Sequence, residues 1–206
     1  MRLVVATRSL HKMREIREIL SDIPTLELLN LDEAGVAYSS EEETLEPFET
    51  FEENARSKAT FFRRKTGLST VADDSGLEVD ALDGAPGVRT KRFAGAEELG
   101  GEARDQANNA HLLSLLEGKP AETRGARYVC VAALARDVDK VDMFRGEAPG
   151  IVLAEPRGLA GFGYDPIILD EASGKSFAEL SPDEKNARSH RGRAFRAMGE
   201  ALREAR

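Results

Sequence analysis

Two adjacent carboxylates, Asp73 and Asp74, followed by Ser75 and Gly76, come directly after the strand-like run Thr70-Val71-Ala72. At the end of a buried strand such a pair repels itself unless a cation or hydrogen-bond donors compensate it. Hard carboxylate oxygens with no histidine or cysteine beside them suit magnesium, and ligand sites in α/β proteins gather at strand carboxyl ends. The other reading is an acidic turn that merely leaves the sheet. A second group is Thr7-Arg8-Ser9-Leu10-His11-Lys12, between the apolar run 3–6 and an amphipathic run carrying Met13, Ile16, Ile19 and Leu20. A strand-to-helix loop offers backbone N–H groups and a positive dipole end to an anion. The hydroxyls of Thr7 and Ser9 and the ammonium of Lys12 suit phosphate, although the segment lacks Walker-type glycines and reads equally as a helix cap.

Three further groups carry donors or π-faces. Asn54 and Lys58, four residues apart, border the apolar stripe Phe51, Ala55, Ala59 and Phe62, so the lysine either snorkels or meets an anion. The preceding glutamates at 41, 42, 43 and 46 read mostly as a solvated loop. In Gly161-Phe162-Gly163-Tyr164-Asp165-Pro166 two glycines bracket an aromatic, which offers either a base-stacking platform worth about 1–3 kcal/mol or a core aromatic in a turn. Lys185 and Ser189-His190-Arg191-Gly192 supply donors for a base edge or a phosphate, or else a solvated helix end.

The elements that must position these groups follow from periodicity and caps. Residues 3–6 form a short buried strand, and Thr50 with Glu53 caps a helix that Gly67 ends. The spacing predicts a strand at 70–72, an edge or half-buried strand through Leu77, Val79 and Ala81, and a helix over about 101–116. A hairpin of strands at 126–135 and 140–147 follows, then a helix opened by Ser181, Pro182 and Glu184, and a last helix carrying Phe195, Met198 and Leu202. Interleaved strands and helices without repeats or linkers read as one α/β unit, a single domain over 1–206, with two lobes around a cleft as one option.

Composition narrows the function. The chain has 206 residues, 41% hydrophobic and 32% charged, enough to bury a core without staples. Its one cysteine, Cys130, gives no disulfide framework, and with no signal-like or membrane-spanning run the expected home is cytoplasmic. A net charge of -8 disfavours nucleic-acid binding but allows a small anion where basic side chains converge.

Taken in chain order, six blocks resemble the Ham1-like inosine/xanthosine triphosphate pyrophosphatases over nearly the whole chain: Thr7-x-Ser9-x-x-Lys12, Phe51-Glu52-Glu53-Asn54-Ala55-x-x-Lys58-Ala59, Ala72-Asp73-Asp74-Ser75-Gly76-Leu77, Gly84-Ala85-Pro86-Gly87, Gly161-Phe162-Gly163-Tyr164-Asp165-Pro166 and Ser189-His190-Arg191-Gly192. The resemblance implies an elongated, mixed-sheet, two-lobed α/β fold with the active site in its central cleft, usually a homodimer. It implies hydrolysis of a purine nucleoside triphosphate between the α and β phosphates, with Mg2+ held by Glu46 and Asp74. Asp74 is then also the base, Lys58 neutralises charge near the scissile phosphate, and Thr7, Arg8, Ser9, Leu10, His11 and Lys12 hold the triphosphate, with Asn54 and Ser75 beside it. Base recognition falls to Phe162, Gly163, Tyr164, Asp165, Lys185, His190 and Arg191; donors facing O6 favour hypoxanthine and xanthine over adenine.

The chain departs from the family in two places. Arg8-Ser9 stands where the family has Gly-Asn, and Glu46 is followed by Pro47-Phe48-Glu49, so that a register shift would move the metal-binding role to Glu43. A Maf-like pyrophosphatase acting on modified pyrimidine nucleotides and a non-catalytic nucleotide-binding protein are the competing readings.

Overall fold

Leu3, Val4 and Val5 are fully buried, as an apolar run flanked by parallel neighbours requires. They belong to the first element of a computed structural model that describes residues 1–96 and 98–204. In chain order the elements are β1 (Arg2–Val5), α1 (Leu10–Ile19), β2 (Glu27–Leu29), α2 (Phe51–Thr66), β3 (Thr70–Val79), β4 (Pro86–Gly87) and α3 (Gly101–Leu115). They continue as β5 (Gly125–Ala135), β6 (Val141–Val152), β7 (Ile168–Asp170), β8 (Lys175–Ser176), α4 (Pro182–Arg188) and α5 (His190–Glu204). The sheet is mixed, in the order β2-β1-β3-β5-β6-β7-β8 with β4 paired to β3. β1 runs parallel to β2 and β3, whereas β3 with β4, β6 with β7 and β7 with β8 are antiparallel. No helix of the described residues is long and apolar enough to cross a membrane.

The caps lie where the sequence puts them. Thr50 accepts from the Glu53 amide at the start of α2, and Gly67 closes that helix in the left-handed region, φ +69°. Ser181 and Glu184 form a reciprocal capping box on α4.

One strand boundary differs from expectation. β3 does not stop at Ala72: it runs unbroken through Asp73, Asp74, Ser75 and Gly76 to Val79, buried almost throughout. Charged side chains are poor strand formers and signal a turn when read locally. Here long-range cations and an amide compensate the two carboxylates, so the strand continues. The second strand of the hairpin is likewise longer than expected, ending at Val152. The short strands β2, β7 and β8 carry too few residues to show a period.

The chain folds as two compact units. The first comprises Met1–Asp74, Cys130–Gly146 and the residues from His190 on; the second comprises Ser75–Val129 and Glu147–Ser189. The first has a core of Leu3, Val5, Met13, Ile16, Leu134, Phe195 and Met198. In the second, Leu77, Val79, Leu112, Leu116, Ile167, Ile168 and Phe177 form the core.

Within the first unit, Gly146 of β6 lets the start of α5 approach the strand. A Cβ there would clash with the His190 carbonyl oxygen and lie 2.5 Å from the Ala194 nitrogen, backbone atoms that cannot swing aside. Gly146→Ala is therefore expected to destabilise the protein by about 1–3 kcal/mol, the usual scale of overpacking. Urea denaturation checks this: an unchanged midpoint would show that β6 and α5 have room to move apart.

Candidate active site

Successive residues of a strand face opposite ways, and Asp73 and Asp74 accordingly meet different partners. The Asp73 Oδ2 accepts from Lys12 Nζ at 2.8 Å and from Arg191 Nη2 at 3.2 Å. Arg191 Nη1 donates to Glu15 Oε2 at 2.7 Å. All four side chains are buried within the first unit. Burial alone would push the Asp73 carboxyl up; Lys12, Arg191 and Lys58 outweigh it and hold that carboxyl well below the usual carboxylate range. Burial would likewise lower the Arg191 guanidinium, but Asp73 and Glu15 raise it further. Cys130 lies 3.9 Å from Asp73, and burial with that neighbouring charge pushes its thiol up to about 12, so it is no nucleophile at neutral pH.

Asp74 sits with a different set. Its Oδ2 accepts from Asn54 Nδ2 at 3.1 Å, and its Oδ1 lies 3.9 Å from Lys58 Nζ. Lys58 pairs with Glu46 and donates to the Asp73 carbonyl oxygen at 2.5 Å. Asn54 also bonds both backbone groups of Phe48, accepting from its N–H at 2.9 Å and donating to its carbonyl at 3.0 Å. Burial raises the Asp74 carboxyl; Lys58 lowers it, Glu46 raises it again, and the net direction is upward. Burial would lower Lys58, but Glu46, Asp74 and Asp73 together raise it. The outcome is one carboxylate whose cations favour its ionised form beside another whose proton affinity is enhanced, the property a general base needs.

Of the two candidate metal-binding glutamates, Glu46 meets Lys58 and lies close enough to act on Asp74, whereas Glu43 is exposed and accepts from the Tyr38 hydroxyl at 2.5 Å. Among the described residues no three histidine, cysteine or acidic side chains are grouped to hold a metal. A pair of hard carboxylates still fits Mg2+, which binds through one or two carboxylates and completes its octahedron with water and substrate phosphates.

The 7–12 segment differs from the expectation. Thr7 Oγ1 accepts from the Ser9 amide at 3.1 Å, and Ser9 Oγ caps α1 by accepting from the Lys12 amide at 3.4 Å. Lys12 is buried on Asp73 rather than presented in the loop, while Leu10 and His11 are exposed on the first turn. Arg8, expected on the triphosphate, instead bonds Glu42, Asp32 and the Val36 carbonyl. The Arg191 guanidinium, expected to read a base edge, is buried on Glu15 and Asp73, where two buried carboxylates need a compensating cation. His190 begins α5, also buried.

In the second unit Asp165 organises the 161–165 turn. Its Oδ2 accepts from the Phe162 amide at 2.8 Å and from Lys185 Nζ at 2.7 Å, and its Oδ1 accepts from the Tyr128 hydroxyl at 3.2 Å. Gly161, at φ +80°, leaves room for that carboxylate, which a Cβ would strike. Lys185 Nζ lies 4.6 Å from the centroid of the Phe162 ring. The Gly163 amide donates to Asp105 at 2.7 Å, and its carbonyl accepts from Asn109 at 3.1 Å. Tyr164 is buried, with its hydroxyl on the Thr90 carbonyl at 2.9 Å. Phe162 is half-buried, and Ser75 lies half-buried on β3.

Sequence reasoning missed Glu15, Asp105, Asn109 and Tyr128. Glu15 had a usable signal, since it follows Lys12 by three residues on the buried face of α1. In α3, Asn109 lies beside Asn108 and Leu112 on a buried face, and such a polar group among buried neighbours is the corresponding signal for the turn it holds.

The model of the Ham1 family matches residues 3–201. A dITP/XTP pyrophosphatase of Frankia alni is 46% identical over 204 residues, 99% of this chain and 98% of that protein. Another dITP/XTP pyrophosphatase, from Geobacter sulfurreducens, is 47% identical over 98% of this chain and 96% of that protein. The solved structure of a HAM1 protein from Coxiella burnetii superposes with a TM-score of 0.85 at 35% identity, covering 99% of both chains.

The two aspartates are expected to affect stability in opposite directions. Asp73 has a depressed folded pKa, so its contribution is present above the unfolded value of about 3.9 and is lost as pH falls through the folded value. Asp73→Asn should lower stability at pH 7 by about 3–5 kcal/mol, leaving buried cations uncompensated, and should flatten the acid limb below about pH 4. Asp74 has a raised folded pKa, so its charge opposes folding at neutral pH, and Asp74→Asn should leave Tm at or above the parental value. Thermal melts of both variants from pH 3 to 7 decide it; equal losses at pH 7 would show that the two carboxylates are not differentiated.

Proposed function

Because the chain belongs to the Ham1 family, we propose that it is a dITP/XTP pyrophosphatase, hydrolysing dITP, ITP and XTP to the nucleoside monophosphate and pyrophosphate and so clearing deaminated purines from the nucleotide pool. The observation that carries the reading is the set formed by Asp74, Lys58, Glu46 and Asn54. It supplies a carboxylate of raised proton affinity, a half-buried ammonium and a second carboxylate within one cluster. Membership of the Ham1 family favours this reading over a Maf-like activity on pyrimidine nucleotides.

Water adds across the α–β phosphoanhydride, and Asp74 takes the proton that the attacking water loses. Lys58, held by Glu46 and the Asp73 carbonyl, offsets charge developing on the phosphoryl oxygens, the main requirement of phosphoryl transfer. Lys12 adds a second positive charge, with its Asp73 contact setting where the ammonium lies. Glu46 and Asp74 would hold Mg2+, which when bound neutralises and orients the phosphate oxygens. Phe162 offers its ring face to the purine, while Lys185, Asp165 and Gly163 fix the turn that carries it.

Release of pyrophosphate from dITP, XTP, dGTP, dATP and dUTP in the presence of Mg2+ tests the reading. Parental protein should favour dITP and XTP, and a folded Asp74→Asn variant should lose at least about a hundredfold in rate. Lys58→Met should lower kcat more than it raises KM. Phe162→Ala should weaken every purine substrate by similar factors, because stacking is tolerant of base identity. Near-parental turnover by Asp74→Asn would remove it as the base, and nucleotide binding without pyrophosphate release would identify a binding protein instead.

A further inference from the structure

The Arg8 guanidinium reaches away from the 7–12 segment to Asp32, Val36 and Glu42. Its Nε and Nη2 grip Glu42 as a two-pronged fork, 3.1 and 2.7 Å to the two carboxylate oxygens. Its Nη1 reaches Asp32 at 2.8 Å, and Nη2 also donates to the Val36 carbonyl at 3.0 Å. Asp32 is largely exposed, but the Glu42 side chain keeps only 10% of its surface, so the Glu42 contact is the sheltered one. Glu42 lies in the 3-10 turn Ser40–Thr44, and its carbonyl accepts from the Leu45 amide at 3.4 Å. Leu45 is buried, and the next residue is Glu46, paired with Lys58. A guanidinium fork is directional and forms two parallel bonds to a carboxylate, which an ammonium cannot copy.

We propose that Arg8 is a positioning residue: it fastens the 40–46 segment to the loop before α1 and thereby fixes Glu46 beside Lys58 and Asp74. The inference rests on the pyrophosphatase reading for the role of Glu46, but the fastening itself does not. It gives a physical reason for an arginine in a loop where the resemblance implies a small residue: this chain uses the position to brace its acidic segment rather than to contact phosphate. The bond also holds Glu42 ionised, its carboxyl lowered chiefly by the Arg8 hydrogen bond.

The test compares Arg8→Ala, Arg8→Lys and Glu42→Gln with the parental full chain in two measurements. Hydrogen–deuterium exchange of the unliganded protein should show amides 41–46 exchanging about tenfold faster or more in each variant, with the α5 amides unchanged. The Mg2+ concentration giving half-maximal pyrophosphate release from dITP should rise about tenfold or more in all three, the scale on which outer partners of metal ligands act. The double variant Arg8→Ala/Glu42→Gln should add little to either single change. A role for Arg8 on the triphosphate predicts a different pattern: KM for dITP at saturating Mg2+ rises in the Arg8 variants only, and exchange at 41–46 does not change. That pattern, or unchanged exchange by itself, overturns the proposal. Should the parental protein release no pyrophosphate from any of these nucleotides, the functional reading fails, and the exchange measurement alone still decides whether Arg8 holds the segment.

Discussion

A carboxylate buried in the middle of a strand is the constraint on which the first unit depends. Asp73 lies inside β3 with almost no solvent exposure, where an uncompensated charge would cost several kcal/mol. Lys12 from α1 and Arg191 from α5 meet it, and Glu15, also on α1, balances the second cation. Two positive and two negative charges close the set, so that α1, β3 and α5 are tied by ion pairs at their polar ends as well as by the packing of Met13, Ile16, Phe195 and Met198. Gly146 serves the same arrangement by letting β6 meet the first turn of α5 closely.

This constraint frees the neighbouring residue for chemistry. With Asp73 fully paired, its carbonyl still accepts from Lys58, which brings an ammonium to the Asp74 side of the strand. There a single lysine faces Glu46 and Asp74 together, while Asn54 orients Asp74 and holds Phe48. Burial raises the proton affinity of Asp74 against the opposing pull of Lys58, Glu46 adds to the rise, and the two carboxylates offer oxygens that suit a divalent cation. The strand thus separates, by its alternation of faces, the charge tied to α1 and α5 from the charge for which a catalytic role is proposed.

In the second unit the 161–165 turn follows the opposite logic. Nearly every polar group of the turn is engaged internally: Asp165 with Phe162, Lys185 and Tyr128, Gly163 with Asp105 and Asn109, and Tyr164 with Thr90. Internal satisfaction makes the turn rigid, with the Phe162 ring half-buried on it. A pre-organised aromatic face of this kind suits the stacking role proposed for it.

The sequence alone determined what depends on near neighbours. Caps at Thr50 and Ser181, the strand at β1, the apolar stripe of α2 and the place of Lys58 beside that stripe were legible because local periodicity and backbone chemistry dictate them, whereas Glu46 read locally as part of a solvated loop. The six motif blocks carried the family and its reaction. Tertiary structure alone decided which charge meets which. Asp73 and Arg191 are 118 residues apart, and Glu15 and Arg191 are 176 apart, so nothing in the local pattern marks Arg191 as a buried counter-ion. The same holds for β3, whose carboxylates read locally as a strand end and are kept in the strand by cations from distant helices. Arg8 followed the same rule, its fork taken by Glu42 34 residues away. Burial raises the cost of an unpaired charge far above any local preference, and only the folded chain shows which partners meet that cost.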